Sequence, residues 1–342
     1  MCLINGQNTL NRWAPVKLTI NTPPDFHFLS AVCSHGFFVL APNQWHPPTH
    51  TLTTAISLDD QTAALVTIRA RGTGRITITT PQALPPARAA TVRQAVRRML
   101  RLDEDFSRFH LQCRSSSTHA DAVSIGFGRL IRGATLFEDI VKVICTCNVT
   151  WRQTTSMIKA MVSSWGTPVL PAAEESSPDT SSSRAFPRPA QLARVRASTL
   201  KKRARVGYRA EFIQRLARDV TDGRLNLAEL EQFDGPSAEL HKRLKTIHGI
   251  GDYGAGNLCM LLGRYDRLAI DTEMARLFRH RYPGRQWTPA RMKAHYDAWA
   301  PYQFLAYWFE LWKDYVERHG QADQWWPDAA GSQITRAPES GQ

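Results

Sequence analysis

A chain of 342 residues, 43% of them hydrophobic, can bury a full core in two or three packed units, which excludes a disordered chain. The 43 Lys and Arg against 30 Asp and Glu leave a net charge of +13, which points to a polyanionic partner, nucleic acid before an acidic membrane. No run of about 18 apolar residues is present, so no membrane-spanning helix is expected.

The first hundred residues read as strands. Phe26–Cys33 and Gly36–Ala41 are short apolar runs bounded by turn residues, and Thr51–Ser57, Ala63–Arg71 and Gly74–Thr79 continue in Thr, Val and Ile. Asp59-Asp60 and the Arg71-Gly-Thr-Gly break supply hairpin turns. The expectation is an antiparallel sheet crossed by a helix at Pro86–Leu102, together a domain of residues 1–102.

Helical periodicity takes over at 103–328. Phe137–Ile144 and Thr154–Trp165 form two amphipathic helices joined by Cys145-Thr-Cys-Asn-Val-Thr-Trp-Arg152. Residues 168–190 are polar, rich in Ser and Pro, and predict a flexible loop. Helices resume at Gln191, Tyr208, Leu227, Ala238, Asp252, Thr272, Pro289 and Pro301, and residues 329–342 predict a disordered tail. The fold class is therefore α+β: an N-terminal antiparallel sheet, then a mostly helical, two-part domain. No internal repeat is present.

Cys2, Cys33, Cys113, Cys145, Cys147 and Cys259 are scattered, and the spacing of Cys145 and Cys147 is poor for a zinc pair. An iron–sulfur cluster needs four grouped cysteines, so no metal centre and no cofactor is expected. The N-terminus lacks a basic region followed by an apolar core, so secretion is not indicated and reduced thiols in a cytoplasmic protein are expected.

Charge is uneven. Between Arg184 and Arg224 stand 12 Lys or Arg against 3 acids, an unbalanced run that suits a phosphate-tracking surface better than a mixed solvated face. The most informative stretch follows, at 238–262. Leu244, Ile247 and Ile250 can face a core while Gly249 and Gly251 leave a tight turn bare between two helices, and exposed N–H groups entering a helix suit a phosphate. Asp252 opens the second helix, and Gly254 and Gly256 inside it record close packing. Asp271, 20 residues after Gly251, precedes Thr-Glu-Met-Ala-Arg and is a good N-cap; one carboxylate can both cap a helix and take part in chemistry. The aromatic run Tyr302–Trp312 fits a helix burying one broad face, and one of its rings can still line a pocket.

These residues resemble the helix-hairpin-helix superfamily of DNA base-excision glycosylases. Leu244–Gly251 is similar to its hairpin and Ile270-Asp271-Thr272 to its catalytic segment, Phe137–Trp151 to its helix and Asn-bearing turn, and Gly207-Tyr-Arg-Ala210 to a helix start. The N-terminal third resembles the extra sheet of the alkylpurine and 8-oxoguanine branches, so the likeness spans roughly residues 20 to 320. The resemblance implies excision of a damaged base from double-stranded DNA by hydrolysis of the N-glycosidic bond, with Asp271 as catalytic carboxylate. It implies DNA contacts from His248, Gly249, Ile250, Gly251 and Lys245 at the hairpin, and from Asn148, Arg152, Tyr208 and Arg209 elsewhere. Bifunctional relatives carry a Lys where this chain has Tyr253, so the resemblance implies a monofunctional enzyme that leaves an abasic site. A monovalent cation at the hairpin is an open expectation, as are a monomeric state and a nucleoid location, or a nuclear one in a eukaryote. The Gly-Gln-x-Phe-Arg-Trp segment of the 8-oxoguanine branch is replaced by Ser34-His-Gly-Phe-Phe-Val-Leu-Ala-Pro42, which tilts the substrate towards an alkylated purine before an oxidised one. The rival reading is a non-catalytic DNA clamp built on the same hairpin.

Overall fold

The computed structural model describes residues 15–170 and 183–325; most of the Ser/Pro segment and the predicted tail lie outside the described residues. Five strands, β1 (Val16–Asn21), β2 (Gln44–His46), β3 (Thr51–Ser57), β4 (Ala63–Ala70) and β5 (Arg75–Thr80), form one antiparallel sheet in the order β1-β5-β4-β3-β2. Alternation sends one set of side chains inward. Leu18, Ile78, Ile68 and Leu52 are register partners in sequence and make a buried row across four strands. The Pro86–Met99 helix contributes Val92, Val96 and Met99 to the same core.

Two predicted strands are not strands. Phe28–Cys33 is a short helix, and Gly36–Val39 a single 3-10 turn. Short apolar runs carry no decisive periodicity, and here Phe28 and Val32 share a buried helical face. The segment leaves the sheet and packs on the C-terminal helix, where Trp308 Nε1 donates to the Ser34 carbonyl at 2.7 Å. Strands β1 and β2 take edge positions that sequence reading did not assign.

The helices of the second half begin close to the expected positions, and several are fixed by side-chain caps. Thr135, Thr150, Asn226, Asp271 and Thr288 each accept from a first-turn N–H. The Leu136–Thr146 helix is buried almost throughout, and its Lys142 is neutralised by Glu138 at 2.6 Å beneath the Phe37 ring. The expected loop at 168–190 is ordered at both ends: Ala63 exchanges backbone bonds with Pro168 and Leu170, and Pro168 pairs with Arg184. Backbone pairing to a sheet edge overrides the polar composition there. No helix among the described residues is long and apolar enough to cross a membrane.

Candidate active site

The hairpin is anchored from below by Leu244, Ile247 and Ile250, all buried. Gly249 has φ +90, and the Phe212 ring occupies the place of a Cβ, so glycine is required on both counts. Gly251 is different: it is the N-cap of the Asp252–Leu261 helix and faces open space. The N–H groups of Gly249 and Gly251 meet no acceptor among the described residues, whereas that of Ile250 donates to the Ile247 carbonyl at 3.0 Å. The Ile250 side chain thus belongs to the core. His248 is exposed and edge-on to Phe212, with ring centroids 4.8 Å apart. Lys245 pairs with Asp252 at 2.7 Å, an exposed ion pair of little worth that a phosphate can displace.

Asp271 stands at the start of the Thr272–Arg281 helix and accepts from the Met274 N–H at 2.9 Å. Burial raises its pKa above the ordinary carboxylate value, and the N–H groups of Met274 and Glu273 oppose that shift. Two concave spaces meet at this residue. One is a cavity of about 160 Å³ walled by Gly36, Trp151, Trp308, Trp312, Tyr315 and Trp325, among others. Trp308, Trp312 and Tyr315 are spaced four and three apart on the Gln303–His319 helix and so share one face. The other is a groove of about 820 Å³ lined by Asn148, Tyr208, Arg209, Phe212, Gly249 and Gly251. Thr146, Trp151, Tyr253, Asp271, Glu273 and Tyr315 line both.

Asn148 adopts φ +53 in the turn between the Leu136–Thr146 and Trp151–Trp165 helices, a conformation Asn tolerates better than most residues. Its Nδ2 lies 3.5 Å from the Tyr208 hydroxyl, and Tyr208 is 52% exposed, which is unusual for a large ring. Arg209 is buried: it donates to the Cys147 carbonyl and stacks 4.5 Å from the Tyr208 centroid. It therefore braces the Asn148 turn and is not a free phosphate contact. Arg152 is exposed on the second residue of its helix but does not line the groove.

Solved structures match along most of the chain. MBOgg1 in complex with a low affinity DNA ligand superposes with a TM-score of 0.66 at 21% identity, over 87% of this chain and 96% of that one. The apo-form of the 8-oxoguanine glycosylase/lyase of Clostridium acetobutylicum gives 0.66 at 15%, over 88% and 100%. The 3-methyladenine DNA glycosylase of Archaeoglobus fulgidus gives 0.66 at 15%, over 87% and 98%. The chain has the DNA glycosylase fold. At these identities the likeness is one of fold, and no protein-family model matches the sequence.

Within this glycosylase fold, Tyr253 occupies the first turn after the hairpin and lines both spaces. Burial, then the neighbouring Asp271 charge, pushes its phenol well up, so it stays protonated. No lysine lines either space. Sequence reading missed Glu273, whose Oε2 accepts from the Tyr315 hydroxyl and from Arg276 Nε at 2.9 Å. Arg276 is held in turn by Asp314 at 2.9 Å. The signal was present, since Glu273 is two residues from Asp271 in the same first turn. Trp325 was also missed, and nothing local marks it as a neighbour of Asp271; His35 and Gly36 lie in the segment that replaces the Gly-Gln-x-Phe-Arg-Trp motif, where the sequence assigned them no role. Cys33, Cys113, Cys145, Cys147 and Cys259 are free thiols. Burial pushes Cys113, Cys145 and Cys259 up to about 12, which makes them unreactive. Among the described residues no group of three or more His, Cys, Asp or Glu is placed to hold a metal.

Proposed function

We propose that the protein is a monofunctional DNA glycosylase that extrudes a damaged purine into the aromatic cavity and hydrolyses its N-glycosidic bond at Asp271. The observation that carries this reading is the position of Asp271, shared by an aromatic cavity and a groove that ends on the bare hairpin glycines. A duplex held in that groove would reach the phosphate-suited N–H groups of Gly249 and Gly251, and the exposed helix at Ala197–Ala204 adds Lys201, Lys202 and Arg203. Asn148 and Tyr208 are the exposed side chains suited to fill the gap left by the extruded nucleotide.

As the bond to the base stretches, the sugar acquires oxocarbenium character. A carboxylate about 4 Å away stabilises that charge by roughly 4 kcal/mol at an effective dielectric near 20, which is about a thousandfold in rate. The same carboxylate can orient the attacking water. An alkylated purine is the preferred substrate class, ahead of an oxidised one. Alkylation makes the ring electron-poor, and the Trp and Tyr walls with Glu273 beside them attract such a ring. The absence of an amine at Tyr253 supports hydrolysis without strand cleavage.

The test is a panel of duplexes with single defined lesions, followed by hot alkali. Breaks that require both protein and alkali support the proposal, as does their loss in Asp271→Asn. Binding without base release on every lesion would instead establish a clamp. Efficient trapping of a covalent adduct by borohydride would refute the monofunctional assignment.

A further inference from the structure

The cavity beside Asp271 contains an imidazole whose tautomer is dictated by its neighbours. His35 is buried between Phe37 and Trp308, with ring centroids 4.6 and 5.1 Å away. Its Nδ1 lies 3.2 Å from the Ile131 carbonyl oxygen. A carbonyl only accepts, so Nδ1 carries the hydrogen and Nε2 keeps a lone pair. Nε2 has no hydrogen-bond partner among the described residues, and His35 lines the cavity. Burial, reinforced by Arg101, lowers the pKa to about 3, which keeps the ring neutral at working pH.

The backbone around it is equally fixed. Ser34 Oγ donates to the Arg129 carbonyl at 3.3 Å, and the Ser34 carbonyl accepts from Trp308 Nε1 at 2.7 Å. Polar atoms facing an aromatic cavity are normally paired by its occupant, so the unpaired Nε2 acceptor suits a heteroaromatic ligand carrying a complementary donor.

Resting on the reading of this cavity as the seat of the extruded base, we propose that His35 is a specificity-determining residue. Its Nε2 accepts a hydrogen bond from an exocyclic N–H of the base, so damaged purines with an exocyclic amine are selected over those lacking one. A site built to bond a donor penalises the analogue without it, because its own acceptor is then left buried and unpaired.

The experiment measures single-turnover excision of two N7-methylated purines in otherwise identical duplexes, one with the 6-amino group and one with hydrogen there, each corrected for spontaneous loss. The wild type is expected to favour the amino base by at least about tenfold. Two variants separate selection from support. The amide of His35→Asn reaches where Nδ1 lies and keeps a donor for Ile131 while removing the cavity acceptor; the amide of His35→Gln reaches where Nε2 lies and can keep that acceptor. The preference should fall to about one in the Asn variant and persist in the Gln variant. A wild-type ratio near one, a ratio retained in His35→Asn, or an equal loss in both variants overturns the proposal while leaving a glycosylase. No excision of either base or of any other lesion by the wild type overturns the glycosylase reading, and this proposal with it.

Discussion

Gly36 and Trp151 are in direct contact: a Cβ on Gly36 would lie 2.6 Å from Cζ2 of the indole. Gly36 belongs to the N-terminal segment and Trp151 opens a helix of the other domain, so this contact sets one wall of the cavity. Gly36→Ala must displace the ring. Since one extra methylene in a pocket changes discrimination by 10-fold or more, excision should fall about tenfold or further, while duplex affinity stays within about twofold. Single-turnover rates and fluorescence anisotropy measure the two quantities; an unchanged rate would remove Trp151 from the occupied pocket.

The two hairpin glycines should respond differently. Gly249→Ala puts a side chain at φ +90 against Phe212, at a cost on the order of 1–3 kcal/mol, and should lower Tm by a few degrees. Gly251→Ala meets nothing, so Tm should hold while duplex binding weakens through crowding of the phosphate. Equal effects on Tm, or full duplex affinity in Gly251→Ala, would contradict this division.

Asp271 links activity to acid and to stability. On the proposed mechanism base release needs the carboxylate, so the rate should decline as pH falls, with a midpoint above the usual carboxylate value because burial raises this pKa. A raised folded pKa also means that stability decreases as pH rises through the window between the unfolded and folded values. Asp271→Asn retains a capable N-cap and removes the buried charge. Its Tm should exceed that of the wild type at pH 7.5, and the gain should shrink in acid. A lower Tm at neutral pH would show that the carboxylate stabilises the fold.

His35 predicts an acid limit on the fold itself. Unfolded, the imidazole binds a proton near pH 6.5; folded, it stays neutral down to about 3. Its contribution is complete above pH 6.5 and is lost as pH falls, at up to about 1.4 kcal/mol per unit. His35→Asn should flatten the decline in urea midpoint between pH 6 and 4. A slope identical to the wild type would assign the acid limit to other groups.

Much of this arrangement was legible in the chain. Spacing alone brought out the Gly249–Gly251 turn, the helix at Asp252 and the carboxylate at Asp271, because caps and turn glycines act locally. The resemblance added Asn148 and Tyr208, which do line the groove. What escaped depends on contacts distant in sequence. Phe28–Cys33 looked like a strand because only its packing partners decide its period. Ile250 looked like a contact because it lies between the two turn glycines, yet its side chain faces inward. Arg209 reads as a surface cation until the Cys147 carbonyl is seen beneath it. Trp325 reaches the cavity only through tertiary folding, and the role of His35 depends on the Ile131 carbonyl 96 residues away.

The bond from Trp308 to Ser34 joins positions 274 residues apart, and Trp45 reaches the Asp323 carbonyl across 278. The chamber is therefore assembled from the first and last described parts of the polypeptide, with the hairpin and Asp271 made in between. During synthesis, the hairpin and Asp271 leave the ribosome before Trp308, Trp312 and Trp325, which complete the chamber. On the proposed function, a nascent chain can form the hairpin before it has a complete place to put a base, so base removal waits for the C-terminal helix.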